Sequence, residues 1–236
     1  MNDIAIDVKD VTIRFNLASE KIDNLKEYFV KLIKHELLFQ EFLAVRDASF
    51  TIRKGEAWAL VGSNGSGKST LMKLLVSDDA SIGRIDNIIL DGKPVDAADI
   101  SSLFAYSSQY PVVLADTLWF NLTLGRKIGK QRVMDVCKSL DLDDIVREKG
   151  FDYVLSADGT GMSGGQLARI ELARAVLSER PILLLDEINA SLDSRTDMDI
   201  HHYLWDSNLT FIEIIHHYKK EDLKNYDAVI DVSDYS

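Results

Sequence analysis

The sequence has little cysteine and no long hydrophobic run. Its single cysteine, Cys137, excludes a disulfide within the chain, which is typical of proteins from a reducing compartment, and we expect an inert thiol in the core. No apolar stretch approaches the roughly 18 residues that a transmembrane helix needs, and residues 1–10 lack the basic and apolar blocks of a secretory signal. We therefore expect a chain without a membrane span of its own, which still allows a membrane-bound partner.

Basic charge is also scarce. The chain has 27 Lys and Arg residues against 38 Asp and Glu residues, which gives a formal net charge of -11. This balance argues against a surface that neutralises the phosphates of DNA or RNA, so no nucleic-acid partner is expected. With 236 residues, of which 46% are hydrophobic, the chain suits one large globular domain or two small lobes.

The hydrophobic pattern predicts strands that alternate with helices, which is typical of a mostly parallel sheet covered by helices. At the start of the chain, residues 4–15 and 42–52 are rich in Val, Ile and Phe and predict a pair of antiparallel strands. Between them, apolar residues at helical spacing predict an amphipathic helix over 19–39. The other predicted strands are 57–61, 84–90, 103–107, 182–185, 210–215 and 228–232, and the other predicted helices are 69–76, several within 117–150, 164–177 and 196–205.

A glycine-rich loop follows the predicted strand at 57–61. Its sequence, GSNGSGKST, satisfies the pattern G-x-x-x-x-G-K-[ST], which about one random chain in a hundred of this length would contain. Glycines let successive backbone N–H groups converge on one centre, and the following helix adds the positive end of its dipole. The loop therefore predicts a nucleotide phosphate site formed by Gly62, Ser63, Asn64, Gly65, Ser66, Gly67, Lys68, Ser69 and Thr70.

Three side chains of this loop have predicted roles. Lys68 is expected to reach the β- and γ-phosphates as a point charge, and the Ser69 hydroxyl is expected to ligate Mg²⁺. Thr70 is expected to contact the α-phosphate.

An acidic pair ends the apolar run at 182–185. A buried parallel strand would deliver these two carboxylates at its carboxyl end. Asp186 is predicted to hold the metal through water, and Glu187 to act as the general base towards the attacking water. The alternative is that both acids only cap the next helix.

The residues MSGGQ, at 162–166, stand directly before the predicted helix at 164–177. Ser163 is placed as the N-cap of that helix, and Gly164 and Gly165 leave backbone N–H groups bare. The alternative is an ordinary capped helix. The phosphate loop upstream and the acidic pair downstream favour a functional role.

Together these motifs resemble the nucleotide-binding domains of ATP-binding cassette (ABC) transporters, whose signature motif is similar to residues 162–166 with Leu in place of Met. The resemblance covers nearly the whole chain. It implies an α/β fold of the P-loop NTPase, ABC type, with a RecA-like core, an N-terminal antiparallel β lobe and an α-helical signature lobe. One domain would cover 1–236, with 1–108 and 179–236 as the β lobe and core and 109–178 as the helical lobe.

The resemblance also implies roles for single residues. Gln109 would be the loop glutamine that senses the γ-phosphate, the metal and a transmembrane partner, and it would ligate the metal. His216 would be the switch histidine against the γ-phosphate, with His217 as the competing candidate. Asp193 would lie in the loop that crosses to the opposite protomer, and Phe15 would stack on adenine, unless it is only a core residue. The catalytic group would then consist of Lys68, Gln109, Glu187 and His216.

In this family the signature motif completes the site of the other subunit. The resemblance therefore implies a dimer that encloses two ATP molecules with Mg²⁺, in which each chain offers the other Ser163, Gly164, Gly165 and Gln166. It also implies a separate transmembrane permease, which would hold the chain at the cytoplasmic face of the membrane.

Two parts of the chain indicate different cargoes. The segment 19–39 is similar to the N-terminal helix of ABC subunits that export teichoic acids, O-antigens or capsular polysaccharides. Residues 109–122 and 162–175 are similar to exporters with fused membrane and ATPase parts, which move lipids, peptides or drugs. The leading expectation is export of a lipid-linked polysaccharide or polyol phosphate. The alternatives are a lipid or peptide exporter, a soluble ABC ATPase, and an ATP-gated binding module with little hydrolysis.

Overall fold

Two β-sheets organise the part of the chain that the structure describes. The structure is a computed structural model, and it describes residues 4–18, 39–63, 66, 68–76, 88–90, 93–216, 218 and 221–232. The segment 19–38, which contains nearly all of the predicted amphipathic helix, lies outside these ranges.

The elements follow one another in chain order. The strands are β1 (Ile4–Ala18), β2 (Phe39–Arg53), β3 (Ala57–Val61), β4 (Ile88–Leu90), β5 (Lys93–Pro94), β6 (Phe104–Ser107), β7 (Ile182–Asp186), β8 (Phe211–Ile214) and β9 (Ala228–Asp231). The α-helices of the described ranges are α1 (Lys68–Val76), α2 (Leu118–Thr123), α3 (Lys130–Ser139), α4 (Asp143–Lys149), α5 (Gly164–Val176) and α6 (Ser194–Asp206). Turns of 3₁₀ helix cover Ala97–Leu103 and Asp222–Asn225.

The first sheet is antiparallel, with the strand order β2-β1-β4-β5. Its long pair, β1 and β2, confirms the predicted antiparallel strands, and each strand extends beyond the predicted bounds. Pro94 lies in the edge strand β5, where a residue without a backbone N–H leaves no ladder bond unmade.

The second sheet has the order β6-β7-β8-β3-β9, and all its neighbouring strands are parallel. Alternate strand residues pack into two hydrophobic clusters, one on each face, so that Leu183 and Leu185 lie in one cluster while Ile182 and Leu184 lie in the other. Because both faces of β7 are buried, its residues before Asp186 form an unbroken apolar run. The predicted parallel, covered sheet is confirmed.

Three short helices follow Thr117, which is the N-cap of α2. The Thr117 hydroxyl accepts a hydrogen bond of 3.0 Å from the N–H of Phe120. These helices, α2 to α4, confirm the mainly helical prediction for 117–150. Cys137 on α3 is fully buried, and burial raises the pKa of its thiol to about 12, which agrees with an inert core cysteine. Among the described residues, no helix is long and apolar enough to cross a bilayer.

A buried ionic cluster joins α6 to the second sheet. The Nε2 of His201 lies 2.9 Å from Oε1 of Glu213, and the Tyr226 hydroxyl donates to Oε2 of Glu213 at 2.6 Å. Glu213 lies on β8 and is only 2% exposed. Burial alone would lower the pKa of His201, but the carboxylates of Glu213 and Asp197 raise it to about 11. His201 is therefore the positive partner of a buried carboxylate at neutral pH.

We predict that replacing His201 destabilises the fold far more than replacing its exposed neighbour His202. His201→Gln leaves the charge of Glu213 buried and unpaired, so the free energy of unfolding should fall by about 3 kcal/mol at pH 7. His202→Gln should change it by less than about 0.5 kcal/mol. Urea denaturation followed by tryptophan fluorescence measures both values, and equal losses would contradict the ion pair.

The stability difference between the wild type and His201→Gln should also depend on pH. Because the pKa of His201 is raised from 6.5 to about 11 on folding, its contribution to stability is complete below pH 6.5 and is lost as the pH rises towards 11. The difference in stability between the wild type and His201→Gln should therefore shrink between pH 7 and pH 10.

Candidate functional site

The carboxyl edge of the parallel sheet gathers the predicted site residues. Since β3, β6, β7 and β8 run in the same direction, the residues that follow them meet at one edge. These residues are Gly62 after β3, Gln109 after β6, Glu187 after β7 and His216 after β8. The order of the parallel strands therefore brings residues that are far apart in the sequence close together in space.

Lys68 opens α1 and lies inside the predicted phosphate loop. Its Nζ donates hydrogen bonds to the carbonyl oxygens of Gly62, at 2.7 Å, and Ser63, at 2.9 Å, and lies 3.5 Å from the Ser66 hydroxyl. Burial lowers the pKa of this lysine, while the carboxylates of Glu187, Asp231 and Asp186 oppose the shift. The ammonium group therefore lies in a field of acidic groups at the sheet edge.

The rest of the phosphate loop is described only in part. Gly62 has a φ of +143°, in the region that favours glycine, at the point where the chain leaves β3. Asn64, Gly65 and Gly67 lie outside the described residues. Thr70 belongs to α1, and Phe15 lies on β1 opposite Phe42.

Asp186 ends β7 and binds two hydroxyl groups. The Ser69 hydroxyl donates to its Oδ1 at 3.3 Å, and the Tyr106 hydroxyl donates to its Oδ2 at 2.7 Å. Asp186 is 4% exposed, and burial together with this carboxylate raises the pKa of Tyr106. A hydroxyl and a carboxylate oxygen held side by side are ligands that Mg²⁺ prefers, so Ser69 and Asp186 suit the predicted metal.

Glu187 is held by one side chain on each of its carboxylate oxygens. The Gln109 amide donates to Oε2 at 2.8 Å, and Nε2 of His216 lies 2.7 Å from Oε1. The backbone φ of Glu187 is +51°, a strained value for a residue with a side chain, and such strain is typical of functional sites. The structure thus brings Gln109, Glu187 and His216 together, whereas His217 lies outside the described residues.

The alternative that the two acids only cap the next helix is wrong. The N-cap of α6 is Asp193, whose carboxylate accepts from the N–H groups of Arg195 and Thr196, both at 3.1 Å. Asp186 and Glu187 make their contacts at the sheet edge instead.

The predicted signature turn is a capping box that packs against the loop before Asp193. Ser163 accepts from the N–H of Gln166 at 3.2 Å, and the Gln166 side chain accepts from the N–H of Ser163 at 2.8 Å. A Cβ at Gly165 would lie 3.0 Å from the carbonyl oxygen of Ser191, a tight contact, so glycine favours this close approach. The predicted signature residues and the predicted crossing loop therefore form one continuous surface.

Two residues near the site were missed by the sequence predictions. Tyr106 contacts Asp186 from the neighbouring strand β6, and Asp231 ends β9 in register with Val61. The sequence signal for Tyr106 was its place near the end of the predicted strand, three residues before Gln109. The end of the last predicted strand was the signal for Asp231.

A family model described as ABC transporter matches residues 45–190, which is more than half of the chain. The chain belongs to the ABC transporter family. The match agrees with the phosphate loop, the acidic pair and the signature turn, and it identifies an ATP-hydrolysing component of such a transporter. The expected α/β fold of the ABC-type P-loop NTPase is confirmed.

Relatives of this ABC domain are longer proteins. An ATP-dependent lipid A-core flippase of a Polaromonas species is 36% identical over 163 residues, which cover 66% of this chain and 27% of the flippase. The transport/processing ATP-binding protein ComA of Streptococcus pneumoniae is 38% identical over 176 residues, which cover 72% of this chain and 24% of ComA. The chain thus spans about a quarter of the length of either relative.

Among solved structures, a bacterial Atm1-family ABC exporter with ATP bound superposes with a TM-score of 0.73. The likeness covers 98% of this ABC domain and 37% of the exporter chain, at 23% identity. At that identity, the likeness shows the fold alone.

We predict that Lys68→Ala weakens ATP binding by this ABC domain about 10- to 100-fold, because hydrogen bonds to a charged group contribute about 1.5–3 kcal/mol. Lys73→Ala is the matched control, since Lys73 is an exposed lysine on the same helix. Titration with a fluorescent ATP analogue measures both affinities. Equal affinities for the wild type and Lys68→Ala would contradict the assignment of the loop.

Proposed function

We propose that this chain binds ATP with Mg²⁺ in the loop 62–70 and hydrolyses it to power an exporter, with Glu187 as the general base. The observation that carries the proposal is the Glu187 carboxylate, held by Gln109 at 2.8 Å and His216 at 2.7 Å beside Asp186. A carboxylate fixed in this way at the edge of a phosphate loop is suited to activate water.

Each side chain of the site has a separate task in the proposed reaction. Lys68 binds the β- and γ-phosphates, and Ser69 and Asp186 would hold Mg²⁺, which would supply positive charge towards the phosphate oxygens. Glu187 accepts a proton from water as the water oxygen bonds to the γ-phosphorus and the bond from that phosphorus to ADP breaks. Gln109 and His216 keep the Glu187 carboxylate in one orientation, so that little reorganisation is needed.

The proposed unit of hydrolysis is a dimer in which each chain completes the other's site. Gly164 and Gly165, which follow Ser163, lie close to Ser191 in the loop that leads to Asp193. Gly164 and Gly165 open α5, where N–H groups have no acceptor within the helix and suit an anion. A two-fold arrangement would turn this surface towards the phosphate loop of the other chain and would close on itself.

The proposed membrane partner binds next to the Gln109 loop. Three apolar side chains of this loop are exposed, namely Tyr110 at 79%, Val112 at 58% and Leu114 at 40%. Exposed apolar groups close together in sequence are typical of an interaction surface. Because the same loop carries Gln109, a permease on this surface would be linked to the catalytic carboxylate.

For the cargo, we propose a lipid-linked polysaccharide or polyol phosphate, on the resemblance of 19–39 to subunits of such exporters. The names of the relatives, a lipid A-core flippase and ComA, favour a lipid or peptide cargo instead. Stimulation of ATP turnover in the complete transporter by a lipid-linked glycan, compared with lipid A, distinguishes the two.

We predict that Glu187→Gln lowers ATP turnover about 100- to 10,000-fold, since it removes the general base, while ATP binding is retained. The control is Glu148→Gln, an exposed glutamate on α4. A phosphate-release assay measures turnover, and fluorescent nucleotide titration measures binding. Normal turnover by Glu187→Gln would show that another group accepts the proton.

A further inference from the structure

A buried carboxylate outside the proposed reaction binds the Gln109 loop to the signature helix. Glu171 lies on α5 and is only 7% exposed. The Ser108 hydroxyl donates to the carbonyl oxygen of Tyr110 at 2.7 Å and lies 3.4 Å from each carboxylate oxygen of Glu171, and the backbone N–H groups of Ser108 and Val112 lower the pKa of that carboxyl. The Glu171 carboxylate therefore lies against groups of the chain on both sides of Gln109.

Arg174, one turn further along α5, binds one acceptor in the same loop and one on α2. Its Nη1 donates to the carbonyl oxygen of Val112 at 2.8 Å, and its Nε donates to that of Asn121 at 2.7 Å. The fully buried Asn121 in turn bonds the N–H of Leu114, at 2.8 Å, and the carbonyl oxygen of Leu114, at 2.9 Å. Together these side chains fix residues 108–114 against the helices.

The buried position of Glu171 is costly for a charged group. Burial raises its pKa to about 7, even though the charge of Arg174 and the hydrogen bonds from Ser108 and Val112 lower it. An apolar residue in this position would avoid the cost of desolvation. Unlike an apolar side chain, the carboxylate makes directed polar contacts with the loop that carries Gln109.

We propose that Glu171 is a positioning residue that holds the Gln109 loop in place, so that Gln109 stays on the Glu187 carboxylate. The inference rests on the proposed function, because it assumes that Glu187 is the base. Ser163 lies eight residues before Glu171, about 12 Å along the helix axis, so one rigid helix carries both the signature turn and this contact. Glu171 thereby links the signature turn, which would face the partner chain, to Glu187 of the same chain.

The test compares Glu171→Ala with Glu148→Ala, an exposed glutamate on α4 that serves as the control. Without nucleotide, amide hydrogen exchange in residues 108–114 should accelerate at least about 10-fold in Glu171→Ala and stay unchanged in the control. The kcat for ATP should fall about 10- to 100-fold, as is typical when a partner of a catalytic group is removed, while the ATP Kd changes less than about threefold.

A second comparison shows whether Glu171 acts through Gln109. If it does, the double variant Gln109→Ala with Glu171→Ala should turn over ATP within about twofold of Gln109→Ala alone. Losses that multiply would overturn the proposal. Unchanged exchange in 108–114 would overturn it too, as would equal losses of kcat and ATP affinity.

Glu171→Gln covers the case in which the alanine variant does not fold. Its amide has the same shape but offers one acceptor oxygen where the carboxylate offers two, and it has no charge to pair with Arg174, so faster exchange and a lower kcat are still expected. Wild-type exchange and kcat in this variant would overturn the inference. Absence of turnover in the wild-type chain would instead refute the proposed function, whereas the exchange measurement would still show whether Glu171 holds the loop.

Discussion

The Glu187 carboxylate is the point on which the structure of the site depends. Its two oxygens are bound by Gln109, which follows β6, and by His216, which follows β8. These side chains can meet only because β7 lies between β6 and β8 in a parallel sheet, with all three carboxyl ends at one edge. The left-handed φ of Glu187, +51°, indicates that the surrounding contacts hold a conformation that the backbone alone would not prefer.

Buried polar contacts hold the elements that carry this carboxylate and its partners. His201 and Glu213 join α6 to β8, three residues before His216. Glu171 joins α5 to the loop that contains Gln109. Each contact buries charge, which costs free energy of folding but is compensated by directed bonds between specific elements. Hydrophobic packing on both faces of the sheet supplies stability, and these polar contacts determine where the loops lie.

The sequence alone predicted best those parts of the site that consist of consecutive residues. The phosphate loop, the acidic pair after β7 and the N-cap at Ser163 were each predicted from a few consecutive residues, because a turn or a helix start requires particular residue types there. The bond from Tyr106 to Asp186 and the pair of His201 with Glu213 join residues far apart in the chain. They depend on strand order and on which helix covers which strand, and neither follows from a single sequence.

The central claim is that Glu187 acts as the base in a site that a second chain completes. Mixing Glu187→Gln with Gly164→Asp tests it most directly. A Cβ at Gly164 meets Ser191 only at an ordinary contact of 3.5 Å, so the fold has room for a side chain to begin here, and an aspartate would place a negative charge towards the partner's phosphates. We expect each variant alone to be nearly inactive and the mixture to recover ATP turnover, because one site of a mixed dimer then has both intact halves. Turnover no greater than the sum of the two separate variants would contradict it.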